Sequence, residues 1–463
     1  MYLNLNNYEK KYRKYKNKYQ KLKNHVGGAK GTLLPKVPSL NGGECDSLPH
    51  TEEDDIISGE NLLDLCYDER ITIHNRCYEI RSLYRWIIMD NKDNLPGIEI
   101  KITEEEKQRL IEAYDELQLI PNILTKDKLV QLYPNLQQET EIDLMDRDYT
   151  GINLYTFSNV GDENLSELKL LWLYNNKIKE LQLGTFNNLL SLQVLSLESN
   201  RISKLEPGIF NSLSVLTHLN LGFNQIKELK SDIFDNNLSR LEDLNLRINQ
   251  IRELHPDIFN NLLNLQYLSL QNNQIIELPP GIFNNLSRLY KLDLSYNQIR
   301  EIQFGAFGNN LPELIHINLE NNQIIELHPG IFDNLPNLQY LYLNNNQIRE
   351  LQHGTFNNLL HLALLKLNNN QISILQPGTF NNLPRLNTLF LNNNLIREIQ
   401  PGIFNNLSNL HFLSLSDNQI NELHPDIFGN NLLLRILRLE MNQIQKLQQN
   451  SYYGLSFRVD VVI

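Results

Sequence analysis

Residues 338–346 read Leu-Gln-Tyr-Leu-Tyr-Leu-Asn-Asn-Asn, and this L-x-x-L-x-L-x-x-N pattern occurs twelve times, at spacings of 24 or 25 residues. Each copy ends in an asparagine: Asn176, Asn200, Asn224, Asn249, Asn273, Asn297, Asn322, Asn346, Asn370, Asn394, Asn418 and Asn442. A phenylalanine column repeats in step, at Phe186, Phe210, Phe234, Phe259, Phe283, Phe307, Phe332, Phe356, Phe380, Phe404 and Phe428, and Tyr452 continues it. So regular a period indicates stacked copies of one structural unit.

The leucines at the fourth and sixth positions of each copy point to the same side of a short β-strand, because side chains alternate along a strand. One copy cannot bury that side alone, whereas stacked neighbours make a continuous core. The asparagine follows the strand where the chain turns, so we expect its side chain to hydrogen-bond backbone groups that the turn leaves unpaired. The phenylalanines should fill the opposite side of each coil, which Pro-Gly pairs such as Pro329-Gly330 keep irregular.

This pattern resembles the leucine-rich-repeat family in its 24-residue subtype, and the resemblance covers residues 139–463. It implies an α/β repeat fold, a solenoid whose strands form a concave parallel β-sheet. Residues 166–463 are then twelve repeats followed by a terminal half-repeat. The resemblance also implies a binding function, most simply for a protein partner held on the concave sheet.

Both ends of such an array need to be covered. We expect residues 121–165 to be a connector and N-terminal cap, in which Ile142-Asp-Leu144 and Phe157 form a degenerate first repeat. At the other end, counting 24 residues on from the last repeat gives the strand positions Arg458, Val461 and Ile463. Val461 and Ile463 should therefore pair with the strand before them. Extracellular relatives close their ends with cysteine-rich caps, and these repeats contain no cysteine.

The residues between the leucines of each strand face the concave side, and aromatic residues collect in the later repeats. Exposed aromatic side chains often dominate the binding energy of interfaces. The predicted partner-binding residues are Tyr340, Tyr342, Phe390, Phe412 and Trp172. The alternative is that these rings only fill space between columns. Beside them run three asparagine pairs, which are either an adaptable hydrogen-bonding strip or a product of repeat duplication: Asn344-Asn345, Asn368-Asn369 and Asn392-Asn393.

Residues 51–120 carry a second resemblance. They contain Asp55-Ile-Ile57-Ser58-Gly-Glu60, Asn75-Arg-Cys-Tyr78-Glu79, Leu83, Trp86-Ile87, Leu95-Pro96 and Ile102. This order and spacing resemble the U-box, a small α+β domain related to the RING domain but without zinc, and the block from Asn75 to Ile87 aligns without a gap. The resemblance implies a groove for a ubiquitin-conjugating enzyme, formed here by Ile57, Trp86 and Pro96.

The U-box resemblance has departures. Asp55-Ile56 stands where the family has Cys-Pro, and Asn75 stands where glycine is usual. The alternative is a small helical domain in which Trp86 belongs to the core. After this block, Thr103-Glu-Glu-Glu106 has the spacing of a capping box and predicts a helix that continues to about Leu117.

The charge is unevenly distributed along the chain. The formal net charge is −12, although residues 1–30 carry eight lysines, one arginine and one glutamate. Tyr8, Tyr12, Tyr15, Tyr19 and Leu22 form a helical stripe, so we expect a basic amphipathic helix over residues 1–26 and a linker over residues 27–50. This helix could bind an acidic surface, a membrane or nucleic acid, or it could be a solvated charged helix. Its Tyr/Lys-rich sequence also resembles the N-termini of many giant DNA virus proteins.

The acidic solenoid argues against nucleic acid on its own surface, because binding phosphates needs positive charge. We expect no catalytic residues, no cofactor and no metal site, since Cys45, Cys66 and Cys77 form no C-x-x-C pair. We expect no transmembrane segment and no secretory leader, and an intracellular location, in the host cytoplasm for a viral protein. Two functions stay open: a non-catalytic protein-binding scaffold, which the repeats favour, and a ubiquitin ligase whose repeats select the substrate.

Overall fold

The computed structural model describes residues 122–444, with gaps at 154–155, 158–164, 235, 309–310, 425–426 and 429–430. It also describes residues 70–73, 76–79, 102–104, 106–108, 110, 446–447 and 460–462. The chain divides into two units, residues 1–120 and 121–463, which are treated separately below. The predicted helix at residues 1–26, the linker at residues 27–50 and the groove residues Ile57, Trp86 and Pro96 lie outside the described residues.

In the first unit, strands β1 (Arg70–Ile73) and β2 (Arg76–Glu79) pair antiparallel. The capping box is confirmed further along the chain. The backbone N–H of Thr103 donates to Glu106 Oε2 at 2.8 Å, and the backbone N–H of Glu106 donates to Thr103 Oγ1 at 3.1 Å. These reciprocal bonds satisfy two backbone donors that the first turn of a helix leaves free. The rest of the predicted helix, beyond residue 110, lies outside the described residues.

The second unit is built around one parallel sheet of fourteen strands. In chain order the strands are β4 (Glu141–Asp143), β6 (Leu170–Trp172), β7 (Val194–Ser196), β8 (His218–Asn220), β9 (Asp243–Asn245), β10 (Tyr267–Ser269), β12 (Lys291–Asp293), β14 (His316–Asn318), β15 (Tyr340–Tyr342), β17 (Leu364–Lys366), β19 (Thr388–Phe390), β20 (Phe412–Ser414), β22 (Ile436–Arg438) and β24 (Asp460–Val462). Neighbouring strands come from consecutive repeats, so the predicted leucine-rich-repeat solenoid is confirmed.

The remaining elements of this unit are short. Two-residue strands pair on the way back from the sheet: β11 (Glu277–Leu278) with β13 (Glu301–Ile302), β16 (Glu350–Leu351) with β18 (Ile374–Leu375), and β21 (Glu422–Leu423) with β23 (Lys446–Leu447). Before the repeats, β3 (Ile123–Leu124) pairs with β5 (Gly151–Ile152), and helix α1 (Lys126–Leu132) lies between β3 and β4. Short 3-10 helices span Leu136–Gln138 and Asn236–Leu238.

Both predicted end structures are present in the sheet. In β4, Ile142 lies opposite Leu171, and Phe157 is buried and stacks on Phe186 with ring centroids 6.2 Å apart, which confirms the degenerate first repeat. At the other end, β24 pairs with β22 and places Val461 opposite Leu437, as predicted. The neighbouring positions Arg458 and Ile463 lie outside the described residues, as does Tyr452 of the phenylalanine column.

The core consists of the two repeated columns. The central residue of each described strand from β4 to β22 is a leucine or isoleucine that is at most 1% exposed. On the other side of the coil the phenylalanine rings are buried in a stack, for example Phe356 on Phe380 with centroids 6.2 Å apart and planes 6° apart. Because each ring packs on the next repeat, one repeat buries its apolar surface only between two neighbours.

The asparagine at the end of each strand connects its repeat to the one before. The side-chain Nδ2 of Asn297 donates to the backbone oxygens of Leu270, Leu294 and Ser295 at 3.0, 3.0 and 3.2 Å. Its Oδ1 accepts the backbone N–H of Ile275 at 3.0 Å. The same pattern recurs from Asn200 to Asn418. The predicted role of this column, called the asparagine ladder below, is thereby confirmed.

The residue just before each ladder asparagine has a left-handed backbone conformation, with φ between 52° and 59° in all twelve repeats. Eight of these positions carry Asn, Asp or Ser, residue types that tolerate this conformation better than bulky ones. This backbone requirement explains Asn345, Asn369 and Asn393, the second members of the three asparagine pairs. The first members belong to the concave face.

Replacing Asn297 with alanine should destabilise the solenoid by about 3 kcal/mol, because buried backbone groups of two repeats would lose their partners. The matched control is Gln298→Ala, since this exposed neighbour has no role in the ladder and its loss should change stability by less than about 0.5 kcal/mol. The measurement is chemical denaturation of both variants. Equal stability of Asn297→Ala and the parent protein would show that the ladder does not hold the repeats together.

Candidate functional site

The concave face has three columns of side chains. The first and third residues of each sheet strand form the first and second columns, and the residue two positions further on forms the third. In β15 these residues are Tyr340, Tyr342 and Asn344, which alternate with the buried Leu341 and Leu343. The first two columns are mostly half-buried, as expected for side chains that stand side by side on a sheet.

Four of the five predicted partner-binding residues lie on one part of this face. Tyr340 and Tyr342 are on β15, Phe390 is on β19 and Phe412 on the neighbouring β20. The rings of Phe390 and Phe412 are in contact, with centroids 4.9 Å apart. Between the tyrosines and the phenylalanines runs β17, whose residue Lys366 lies opposite both Tyr342 and Phe390. We call Tyr340, Tyr342, Phe390 and Phe412 the aromatic patch.

Lys366 is part of this surface although sequence reasoning did not select it. Its Nζ lies 4.4 Å from the centroid of the Tyr342 ring, a cation–π contact. Tyr342 therefore has a cation on its ring, and its other neighbours are Tyr340 and His316. The position of Lys366 in the second column, between Tyr342 and Phe390, was the available signal in the sequence.

His316 supports the tyrosines from the preceding strand. Its ring centroid lies 4.8 Å from that of Tyr342 and 5.8 Å from that of Tyr340. Burial lowers the pKa of His316 to about 4, and the positive charges of Lys291 and Lys366 act in the same direction, against Asp293. The imidazole is therefore neutral near pH 7 and packs as an aromatic ring.

Trp172, the fifth predicted residue, lies elsewhere. It is on β6, seven strands away from β15, which is roughly 30 Å along the sheet. Its indole N–H donates to Glu141 Oε1 at 2.7 Å, and its ring stands edge-on to Tyr174 at 6.4 Å. These contacts hold Trp172 against the first repeats, so it does not join the aromatic patch.

The early repeats carry a polar network in place of aromatic rings. Arg247 Nη2 reaches Glu198 Oε1 at 2.7 Å across Gly222, where a Cβ would lie 3.2 Å from Arg247 Cγ. Asn220 Nδ2 donates to the other oxygen of Glu198 at 2.8 Å. One strand on, burial raises the pKa of Asp243 to about 6, although His218 on the neighbouring strand opposes the shift. The charged groups here largely interact with one another.

The two halves of the concave face differ in charge. From β7 to β14 the three columns contain four carboxylates and two cations: Glu198, Asp243, Asp293, Glu320, Arg247 and Lys291. From β15 to β22 they contain two cations and one carboxylate: Lys366, Arg438 and Glu440. The aromatic patch thus lies on the positive part of an acidic protein.

Other kinds of site were sought among the described residues. These contain no group of three or more His, Cys, Asp or Glu side chains placed to hold a metal ion. Nor do they include a helix that is both long enough and apolar enough to cross a membrane. The aromatic patch with Lys366 is therefore the surface on which a functional argument can be based.

Comparison with solved structures agrees with this architecture. An internalin from Listeria monocytogenes is 27% identical, with a TM-score of 0.54 over 70% of this chain and 87% of that one. The APL1 leucine-rich repeat domain is 23% identical, with a TM-score of 0.57 over 69% of this chain and 77% of that one. A chain of the octameric complex of latrophilin 3, Unc5D and the leucine-rich repeats of FLRT2 is 24% identical, with a TM-score of 0.52 over 61% of this chain and 83% of that one.

No curated protein matches the sequence. The family profile described as "Leucine rich repeat" matches residues 166–226, 239–299, 287–348, 336–396 and 384–444. These matches cover more than half of the chain and lie within the solenoid, where the strands, the asparagine ladder and the phenylalanine stack recur in step. The chain belongs to the leucine-rich-repeat family.

Proposed function

We propose that this protein is a protein-binding scaffold that holds its partner on the aromatic patch. The observation that carries the proposal is the contiguity of the patch: Tyr342, Lys366 and Phe390 are register neighbours, and Phe412 contacts Phe390. Large rings on rigid strands lose little entropy on binding, and such residues frequently dominate interface energies.

The alternative for these rings is space filling, and the structure offers a contrast. Trp172 has its polar group hydrogen-bonded within the chain and an aromatic neighbour at its edge, which is how a space-filling residue is satisfied. The aromatic patch remains partly exposed beside a cation. An exposed apolar patch with a polar rim is typical of an interaction surface.

Charge and family membership favour a protein partner. The formal net charge of −12 disfavours nucleic acid on the solenoid, because phosphate contacts need a basic surface. Among the similar structures, the leucine-rich repeats of FLRT2 occur in an octameric complex with two other proteins. The placement of this scaffold inside the cell, its viral origin, and an acidic surface, membrane or nucleic acid as the target of residues 1–26 remain predictions from the sequence.

Replacing both Tyr342 and Phe390 with alanine should weaken partner binding by more than about 2 kcal/mol without unfolding the solenoid, because both side chains stand on the partly exposed side of their strands. Partners are captured with the full chain, and affinities are then measured by calorimetry. Tyr267→Ala is the matched control, since Tyr267 occupies the first concave column outside the patch. Full retention of the partner by the double variant, or an equal loss with Tyr267→Ala, would exclude the patch as the interface.

A ubiquitin ligase is the second candidate. Its support is the ungapped resemblance of residues 75–87 to the U-box, within which β2 forms an antiparallel pair with β1. In this function residues 51–120 bind a ubiquitin-conjugating enzyme through Ile57, Trp86 and Pro96, and the aromatic patch selects the substrate. The scaffold function is favoured because the repeats support it directly, while the replacement of Cys-Pro by Asp55-Ile56 lies beside the proposed groove.

If the first unit is an active U-box, the full chain should stimulate ubiquitin discharge by at least one enzyme in a broad panel of conjugating enzymes. Ile57→Ala should abolish this stimulation with the circular dichroism spectrum unchanged, because it removes a groove contact. A zinc chelator should have no effect, since a U-box holds its fold without metal. Failure across the panel with a folded protein leaves only the scaffold function.

A further inference from the structure

The second concave column forms a straight row across the aromatic patch. From β15 to β22 it reads Tyr342, Lys366, Phe390, Ser414 and Arg438, and each residue lies opposite the next in the strand register. Neighbouring strands are about 4.8 Å apart, so the two cations of the row are separated by three strand spacings, or about 14 Å.

Both cations are available to a partner. Within the described part of the chain, neither Lys366 nor Arg438 forms an ion pair with a carboxylate, and the contact recorded for the Lys366 ammonium is the Tyr342 ring. The single carboxylate of this part of the face, Glu440, belongs to the third column and lies outside the row. The row therefore offers two positive positions with apolar rings between them, in contrast to the acidic columns from β7 to β14.

The spacing of the row matches an extended polypeptide. A β-strand advances about 3.4 Å per residue, so four residues span about 14 Å. Residues i, i+2 and i+4 of such a segment point to the same side. If residue i lies over Lys366, residue i+4 lies over Arg438. Residue i+2 then falls midway, beside the touching rings of Phe390 and Phe412, where the row itself contributes only the small, buried Ser414.

We propose that the partner presents an extended segment with two acidic side chains four residues apart and an apolar side chain midway between them. The first carboxylate binds Lys366, the second binds Arg438, and the apolar side chain packs on Phe390 and Phe412. This inference rests on the proposed function, because it uses the same patch, and it specifies the chemistry of the segment that the patch binds. Charge complementarity of this kind determines which partner is selected more than how tightly it binds.

The test is fluorescence anisotropy of labelled nine-residue peptides with the full chain. One peptide has glutamates at its third and seventh residues, a leucine at its fifth, and serine or threonine elsewhere. A second peptide has the same composition, with its glutamates at the third and sixth residues. The second peptide turns one carboxylate away from the sheet, so the first should bind at least ten-fold more tightly.

Lys366→Gln and Arg438→Gln should each weaken binding of the first peptide at least five-fold, because each removes one charge partner. Lys291→Gln is the control, since Lys291 is a concave cation outside the row. Equal affinity for the two peptides, no binding of the first peptide, or indifference to both substitutions would overturn this inference. If the captured partner still depends on Tyr342 and Phe390 in that case, the protein-binding function stands and only the proposed segment chemistry is wrong.

Discussion

The hydrogen bonds of the asparagine ladder are the interaction on which the rest of the structure depends. Each ladder side chain joins the backbone of its own turn to that of the preceding repeat, as Asn297 does with Leu270, Leu294 and Ile275. These side chains are buried, so water cannot replace their bonds. The ladder turns the chain sharply after every strand, and this turn allows the next repeat to return in the same register.

Fixed register leads directly to a regular binding surface. The leucine, asparagine and phenylalanine columns carry the structural load, so the three concave columns are free to vary without loss of the fold. Their residues are nevertheless held at constant spacing, because neighbouring strands lie about 4.8 Å apart. The early repeats use this freedom for a polar network around Glu198 and Arg247, whereas the later ones present the aromatic patch with Lys366.

The sequence predicted whatever follows from the period alone. The strands, the ladder bonds, the phenylalanine stack, the first repeat at Ile142 and the pairing of Val461 all result from positions that recur every 24 or 25 residues. Properties that depend on neighbours in adjacent repeats could not be read in this way. The ammonium of Lys366 over Tyr342, the neutral state of His316, and the hydrogen bond that holds Trp172 away from the patch arise between residues about one repeat apart or more. The left-handed position before each ladder asparagine was hidden because Phe223, Ile248, Tyr296 and Met441 occupy it as well as small polar residues.

The central claim is that a protein partner covers the aromatic patch. Hydroxyl-radical footprinting of the full chain, alone and with its captured partner, tests this claim directly because it reports the solvent access of individual aromatic side chains. The expected result is strong protection of Tyr340, Tyr342, Phe390 and Phe412. Tyr296 and Phe304, which are 49% and 72% exposed outside the concave columns, should keep their reactivity. Protection of Tyr296 or Phe304 with an unchanged aromatic patch would place the partner elsewhere and contradict the account.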